Sequence, residues 1–189
     1  QKAISFDKKF LYDRLKCVYC KKCSESCLTQ ALTFAGKELS INTIVDEVMK
    51  DKDYFDNSNG GITISGGEPF VQFEAMMKLI KALKKQNLHI AIETTGNYPL
   101  EYLKQALPYL DLLLFDVKHL NYQKIKDVIG GNPKLIFNNL KFLASTCPEK
   151  VIIRTPVIPY FNNDEKTLQS IIDLAFELNI TCLLYTSDA

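Results

Sequence analysis

The sequence has almost no net charge. Its 23 Lys and Arg residues nearly balance its 22 Asp and Glu residues, for a formal charge of +1. That balance excludes a broad basic field, so neither nucleic acid nor an anionic membrane surface is an expected partner. No apolar run is long enough to span a bilayer, and no signal-peptide pattern opens the chain. Membrane-spanning and secreted classes therefore lose support, and a cytoplasmic location is expected. No internal repeat or low-complexity segment is evident, so nothing supports a repeat architecture. An initiating Met is also missing: the chain begins at Gln1, as expected of a fragment. What remains is ordinary. A hydrophobic content of 47% with 24% charged residues is that of a soluble globular protein. A length of 189 residues suits one domain, with at most a small appendage.

The cysteines are unevenly spread. Four of the six, Cys17, Cys20, Cys23 and Cys27, follow the spacing C-x-x-C-x-x-C-x-x-x-C. Disulfides do not suit cysteines this close in a chain with no secretory signal, so a metal site is favoured. Bacterial-type ferredoxins use this run for a [4Fe–4S] cluster, with the fourth cysteine serving the neighbouring cluster where there are two. Those ferredoxins usually carry Pro after the fourth cysteine; here it is Leu28. A zinc site or free thiols is the alternative, although zinc pairs usually stand farther apart in sequence. Cys147 is expected to be buried and structural.

Apolar spacing divides the rest of the chain. Residues 1–16 suggest a short strand and a loop. Ser40 is placed to cap a helix over 41–52. From residue 62 onward strands alternate with helices. Strands are expected at 62–65, 89–94, 112–118 and 151–157, and helices at 73–86, 99–109, 121–129, 134–146 and 165–178. Such alternation makes an α/β fold, either a parallel sheet or a (βα) barrel. The first strand runs into Ser65-Gly66-Gly67-Glu68-Pro69, where glycines let backbone groups come close to a ligand. Glu68 would favour a ligand ammonium over a phosphate. Later strands end in Glu93-Thr94-Thr95-Gly96, in Asp116, Lys118 and His119, and in Arg154-Thr155-Pro156. Polar groups converging from successive strand ends are how a barrel builds a site. Taken singly, each group has a plainer reading. Glu93 could be a helix-cap or loop carboxylate, Lys118 could pair with Asp116, and His119 is expected to pack or face solvent rather than to bind metal. Asn162-Asn163-Asp164 reads as a loop and helix cap.

These stretches, with Ile92-Glu93-Thr94-Thr95-Gly96, Phe115-Asp116-Val117-Lys118-His119 and Ile153-Arg154-Thr155-Pro156-Val157-Ile158-Pro159, resemble the radical S-adenosylmethionine (SAM) enzymes that activate glycyl-radical enzymes. The cysteine run resembles the subgroup with an inserted ferredoxin-like domain. The resemblance covers about residues 1–180. It implies a partial (βα) radical SAM barrel with an N-terminal partial ferredoxin-like iron–sulfur segment. It implies [4Fe–4S] clusters, SAM and a monovalent cation as cofactors. A glycyl-radical enzyme would be the substrate protein, and reduced flavodoxin or ferredoxin the electron donor. Ser65, Gly66, Gly67, Glu68 and Pro69 would form the loop at the methionyl end of SAM, with Glu68 beside the ammonium. Glu93 and Thr94 would lie near that ammonium and the cation. Asp116 and Lys118 would contact the ribose and carboxylate, and Arg154 would line the same mouth. Cys17, Cys20 and Cys23 would hold one auxiliary cluster in a compact nest, and Cys27 would serve the next.

The C-x-x-x-C-x-x-C motif that holds the SAM-binding cluster in this family is absent from the sequence, as is the first ferredoxin cysteine run. The expected organisation is therefore residues 1–37 as the second half of the insert and 38–181 as a partial barrel. Residues 182–189 read instead as the translation of a transposon-type sequencing adapter, TGT CTC TTA TAC ACA TCT GAC GCT. That stretch has strand propensity by chance and could pair beside 151–157. Two rival functions stay open from the residues alone. One is an electron-transfer module on an inert scaffold; the other is a barrel lyase or aldolase that uses Lys118 as a Schiff base.

Overall fold

The computed structural model describes residues 3–7 and 9–185. The chain divides into two units, residues 1–39 and 40–189. In the first unit, β1 (Ile4–Asp7) and β2 (Lys9–Tyr12) form an antiparallel hairpin, where a strand and a loop were expected. A 3-10 turn over Arg14–Lys16 follows, its N-terminus capped by the Asp13 carboxylate, which accepts from Leu15 N at 3.0 Å. The cysteine segment then holds one short helix, α1 (Lys22–Glu25). No described residue of this unit is fully buried, so it has no apolar core of its own.

The second unit holds the core. Ser40 caps α2 (Ile41–Val48) by accepting from Thr43 N at 3.1 Å. The helical path then runs on through a 3-10 turn and α3 (Lys52–Ser58), longer than the apolar spacing suggested. It stops at Asn59, a residue type that tolerates the left-handed conformation found there. Strand–helix alternation follows: β3 (Gly61–Ile64), α4 (Phe73–Lys84), β4 (His89–Thr94), α5 (Leu100–Ala106) and β5 (Leu112–Asp116). Next come α6 (Tyr122–Lys124), a π-helical turn over Ile125–Ile129, and α7 (Pro133–Thr146). The series ends with β6 (Val151–Pro156), α8 (Glu165–Glu177) and β7 (Thr181–Tyr185). Asp164 caps α8 through Thr167 N at 2.9 Å, as its position implied.

The five strands β3-β4-β5-β6-β7 form one parallel sheet in sequence order. Among the described residues it is an open sheet rather than a closed barrel. Side chains alternate across it, as the two-residue period of a strand requires. Ile90, Ile92, Leu113, Phe115, Val151 and Ile153 are buried with the apolar faces of α4, α5, α7 and α8. Glu93, Leu114, Asp116, Ile152 and Arg154 occupy the alternate positions, which stay partly open. The sheet therefore keeps one dry face for stability and one accessible face for polar groups.

Residues 181–185 do pair with β6, Cys182 opposite Ile153 and Tyr185 opposite Pro156. Pairing needs only strand propensity and a free edge, so it carries no information on whether these residues are native. Residues 186–189 lie outside the described residues.

Candidate functional site

The accessible face carries its charges at the carboxyl edge, where parallel sheets place ligands. Strand register decides which of them meet. Asp116 lies opposite Arg154, and Glu93 lies opposite Leu114 one row below. Arg154 reaches diagonally past Leu114 to form an ion pair with Glu93. The Ser65 hydroxyl donates to the other oxygen of Glu93. Ser65, Glu93 and Arg154 thus join β3, β4 and β6 in one chain of charge-assisted bonds. The Ser65 hydroxyl above all, and then Arg154 against the opposing effect of burial, holds the Glu93 carboxyl below its usual range. Beside this chain, Lys118 Nζ meets Asp116 Oδ2 at 2.8 Å. Both partners are about three-quarters buried, with 23% and 21% of their side chains exposed.

The Gly66–Gly67 turn stands at the end of β3. Both glycines have positive φ, 89° and 60°, and a Cβ on either would meet nothing within 4 Å. Backbone conformation rather than crowding requires glycine here. The open space above them leaves their backbone groups free to approach a ligand.

Glu68 does not face that space. One of its oxygens accepts from Thr94 Oγ1 at 2.9 Å and from Phe70 N at 3.3 Å. The other accepts from Thr95 N at 2.8 Å and Thr95 Oγ1 at 2.6 Å. The expectation that this carboxylate points to a ligand ammonium meets a different geometry: it is turned toward the loop after β4. The reason is local. Pro69 opens a 3-10 turn, and Glu68 caps it, which directs the side chain back into the fold. Pro69 itself is buried.

Residues given no site role from sequence complete the edge. Thr95 is one. Asn139 of α7, fully buried, donates to Gly96 O and Tyr98 O, both at 2.8 Å. Asn162, read as a plain loop residue, is also fully buried and donates to Lys118 O at 2.8 Å and Pro156 O at 2.9 Å. A polar residue among the apolar positions of α7 was a usable signal for Asn139. His119 packs, as expected: Nδ1 accepts from Asn121 N at 3.1 Å, and the ring meets Phe161 edge-on. Burial, then the Lys124 ammonium, pushes its pKa down. Cys147 is buried, and burial raises its thiol pKa.

The cysteine segment behaves differently. Among the described residues no three Cys, His, Asp or Glu side chains converge on a common metal position. The compact sulfur nest expected of Cys17, Cys20 and Cys23 is therefore not formed. The loop's local bonds explain this. Cys17 Sγ accepts from Tyr19 N at 3.4 Å, Cys27 Sγ accepts from Leu32 N at 3.4 Å, and Cys20 and Cys23 point to solvent. In such short loops the metal–sulfur bonds themselves supply the closing energy. The donor chemistry nonetheless fits an iron–sulfur group. All four thiols are free, and N–H donors already lie on two sulfurs. The Leu32 amide foremost, then the Thr29 hydroxyl, lowers the Cys27 pKa toward the thiolate that binds metal.

Several known proteins are similar to this chain. The isethionate sulfite-lyase activating enzyme of Nitratidesulfovibrio vulgaris is 34% identical over 171 residues, covering 89% of this chain and 56% of that protein. The (2S)-3-sulfopropanediol sulfolyase activating enzyme of Bilophila wadsworthia is 38% identical over 86% of this chain and 54% of its own length. The pyruvate formate-lyase 2-activating enzyme of Escherichia coli is 34% identical over 87% and 57% respectively. The chain thus spans about half the length of the curated relatives it matches. Among solved structures, a domain of the pyruvate-formate lyase-activating enzyme from Bacteroides vulgatus aligns with a TM-score of 0.55 at 21% identity, covering 67% of this chain and 99% of that one. Streptococcus suis SuiB bound to S-adenosylmethionine aligns with a TM-score of 0.63 at 16% identity, over 84% and 36%. These two show the fold alone. Residues 14–171 match the radical SAM superfamily, more than half of the sequence, and the chain belongs to that superfamily.

Proposed function

We propose that this chain is part of a radical SAM activating enzyme that installs a glycyl radical on a partner enzyme. The observation that carries the reading is the carboxyl edge itself. Two opposite-charge pairs, Glu93–Arg154 and Asp116–Lys118, stand beside an open Gly66–Gly67 turn on one accessible sheet face. That arrangement suits a zwitterion: an incoming ammonium exchanges for Arg154 at Glu93, and an incoming carboxylate takes up the released cations. Lys118 serves as a point charge for that carboxylate, while the planar Arg154 fork can grip it through two bonds. Gly66 and Gly67 offer backbone groups to the same end of the ligand, and Asp116 accepts from ribose hydroxyls. In the whole enzyme, a cluster held by the C-x-x-x-C-x-x-C motif that this sequence lacks would supply the electron for reductive cleavage of SAM, and the residues of this edge would hold and orient the SAM that is cleaved for hydrogen abstraction from a glycine Cα of the partner. The relatives' names, which are those of activating enzymes, support this choice of partner.

Three finer elements belong to the same proposal. Cys17, Cys20, Cys23 and Cys27 would serve auxiliary clusters within a ferredoxin-like segment, with a partial barrel over 38–181. A monovalent cation would sit near Glu93, and reduced flavodoxin or ferredoxin would deliver electrons. The unpaired thiols of Cys17, Cys20, Cys23, Cys27 and Cys147 suit a reducing cytoplasm. No helix among the described residues is long and apolar enough to cross a membrane.

Calorimetric titration with SAM tests the core of the reading. Saturable binding is expected, weakened by Lys118→Ala by about 1–3 kcal/mol, the worth of a charged hydrogen bond. Binding that ignores Lys118→Ala and Arg154→Ala would refute the site. A carbonyl substrate trapped on Lys118 by borohydride would favour the lyase alternative.

A further inference from the structure

Glu68 is the negative group nearest in sequence to the Gly66–Gly67 turn, yet none of its bonds leads toward open space. Its two oxygens take up five contacts from three residues: Thr94 Oγ1 at 2.9 and 3.1 Å, Thr95 N at 2.8 Å, Thr95 Oγ1 at 2.6 Å and Phe70 N at 3.3 Å. Among the described residues it has no cationic partner. A carboxylate offers about four lone-pair directions, so these contacts leave little capacity for a ligand. Val71 N also donates to the Glu68 carbonyl at 3.0 Å, which fixes the backbone on the far side of the turn.

The donor side of this node is anchored in turn. Thr94 Oγ1 accepts from Gly96 N at 3.1 Å. Asn139 holds the carbonyls of Gly96 and Tyr98, and the buried Tyr98 ring stacks on Phe70 with centroids 3.7 Å apart. Glu68 therefore connects the mobile-by-composition glycine turn to a loop that is itself clamped to the core. Two glycines at positive φ have many accessible conformations, and one strong tether at the next residue removes most of that freedom.

We infer that Glu68 is a positioning residue: it sets the Gly66–Gly67 backbone for the methionyl end of SAM through Thr94 and Thr95 and does not bind the ammonium itself. The inference rests on the reading of this edge as a SAM site, and Glu93 is left as the carboxylate that meets the ammonium. A half-buried carboxylate that accepts several hydrogen bonds is costly to disturb, so the tether is stiff.

Two measurements on the 189-residue chain separate this from a direct contact. The first is NMR order parameters of the Gly66 and Gly67 amides, with no ligand present. Glu68→Ala and Glu68→Gln are expected to lower both to loop-like values, below about 0.6, while Ile92 and Leu113 keep rigid-backbone values. Unchanged order parameters in both variants would overturn the tether. The second is a double-variant cycle read by titration with S-adenosylhomocysteine, which keeps the amino-acid end and needs no cluster chemistry. Thr95→Val is expected to raise Kd by about tenfold, Glu68→Ala by at least as much, and the double variant by no more than Glu68→Ala alone, the signature of one shared pathway. Wild-type affinity in Thr95→Val with loss in both Glu68 variants would overturn the inference in favour of direct ammonium binding. If the wild-type chain binds neither S-adenosylhomocysteine nor SAM, the proposed site fails, and the order parameters still decide the tether.

Discussion

Glu93 stands on the accessible face with Ser65 on one side and Arg154 on the other. Its carboxyl titrates below its unfolded value near 4.5. These bonds therefore contribute stability above about pH 4.5, and the contribution is lost as pH falls through the lower folded value. About a third of the side chain is open to solvent, 34%, so screening keeps the effect modest. Glu93→Gln is expected to flatten the acid limb of the stability curve, measured as urea midpoints from pH 6 down to pH 3. Equal acid sensitivity in the variant and the wild type would show that the bonds do not form in solution. Glycine positions separate two physical effects at the same scale. A Cβ on Gly96 would overlap the Phe115 ring, and the residue sits at φ +74°. Gly96→Ala should therefore cost about 2–4 kcal/mol, combining overpacking with left-handed strain. Gly66→Ala meets no neighbour and should cost about 1–2 kcal/mol from conformation alone. Chemical denaturation of both variants checks the order.

At the scale of elements, one ion pair ties helix to sheet. Lys84, near the end of α4, reaches both oxygens of Asp111 at 2.7 and 2.6 Å, just before β5, and Asp111 also accepts from Ile90 N of β4 at 2.9 Å. Asp111→Ala removes all three bonds and is expected to cost about 1–3 kcal/mol, whereas Lys84→Met, which leaves the Ile90 bond, should cost less. A reversed order in thermal unfolding would contradict this account. The elements themselves were legible from residue 62 onward, because long apolar spacings and the Ser40 and Asp164 caps are local signals. The interruption of 121–129 by a π-helical turn was not legible, since no residue spacing distinguishes an i+5 bond from an i+4 bond. Strand ends were also legible as polar clusters, but their pairings were not. Arg154 meets Glu93 only because β5 sits between β4 and β6 in a particular register, and register is a tertiary property. The direction of the Glu68 side chain was not legible for a related reason: it depends on the 3-10 turn that Pro69 opens and on Thr95, 27 residues away.

For the whole molecule, burial is confined to one unit. Among the described residues, every buried apolar side chain lies between Pro69 and Ile180, and none lies in residues 1–39. Order in the cysteine segment should then depend on metal, as in other small metal-held segments. Anaerobic iron and sulfide reconstitution followed by chelation is expected to switch protease sensitivity of residues 1–39 while leaving the unfolding midpoint of residues 40–189 unchanged. A shared shift in both would mean the units unfold as one. The sequence contains no C-x-x-x-C-x-x-C run, so the purified chain with dithionite and SAM is expected to release no 5′-deoxyadenosine. Its detection by chromatography would show that another arrangement binds the cleaving cluster. The adapter reading of residues 182–189 is settled by the codons of the source read. An independent genomic copy continuing through those residues would end it. The open sheet has one more effect, on handling rather than chemistry. Among the described residues nothing pairs with the outer edge of β3 over Gly61–Ile64, and that strand has no Pro or charged side chain to block a second strand. At high protein concentration that edge is a template for copies of the chain to add to one another. Light scattering should then rise with concentration, and a single lysine at Thr63, whose side chain is exposed, should keep concentrated stocks clear.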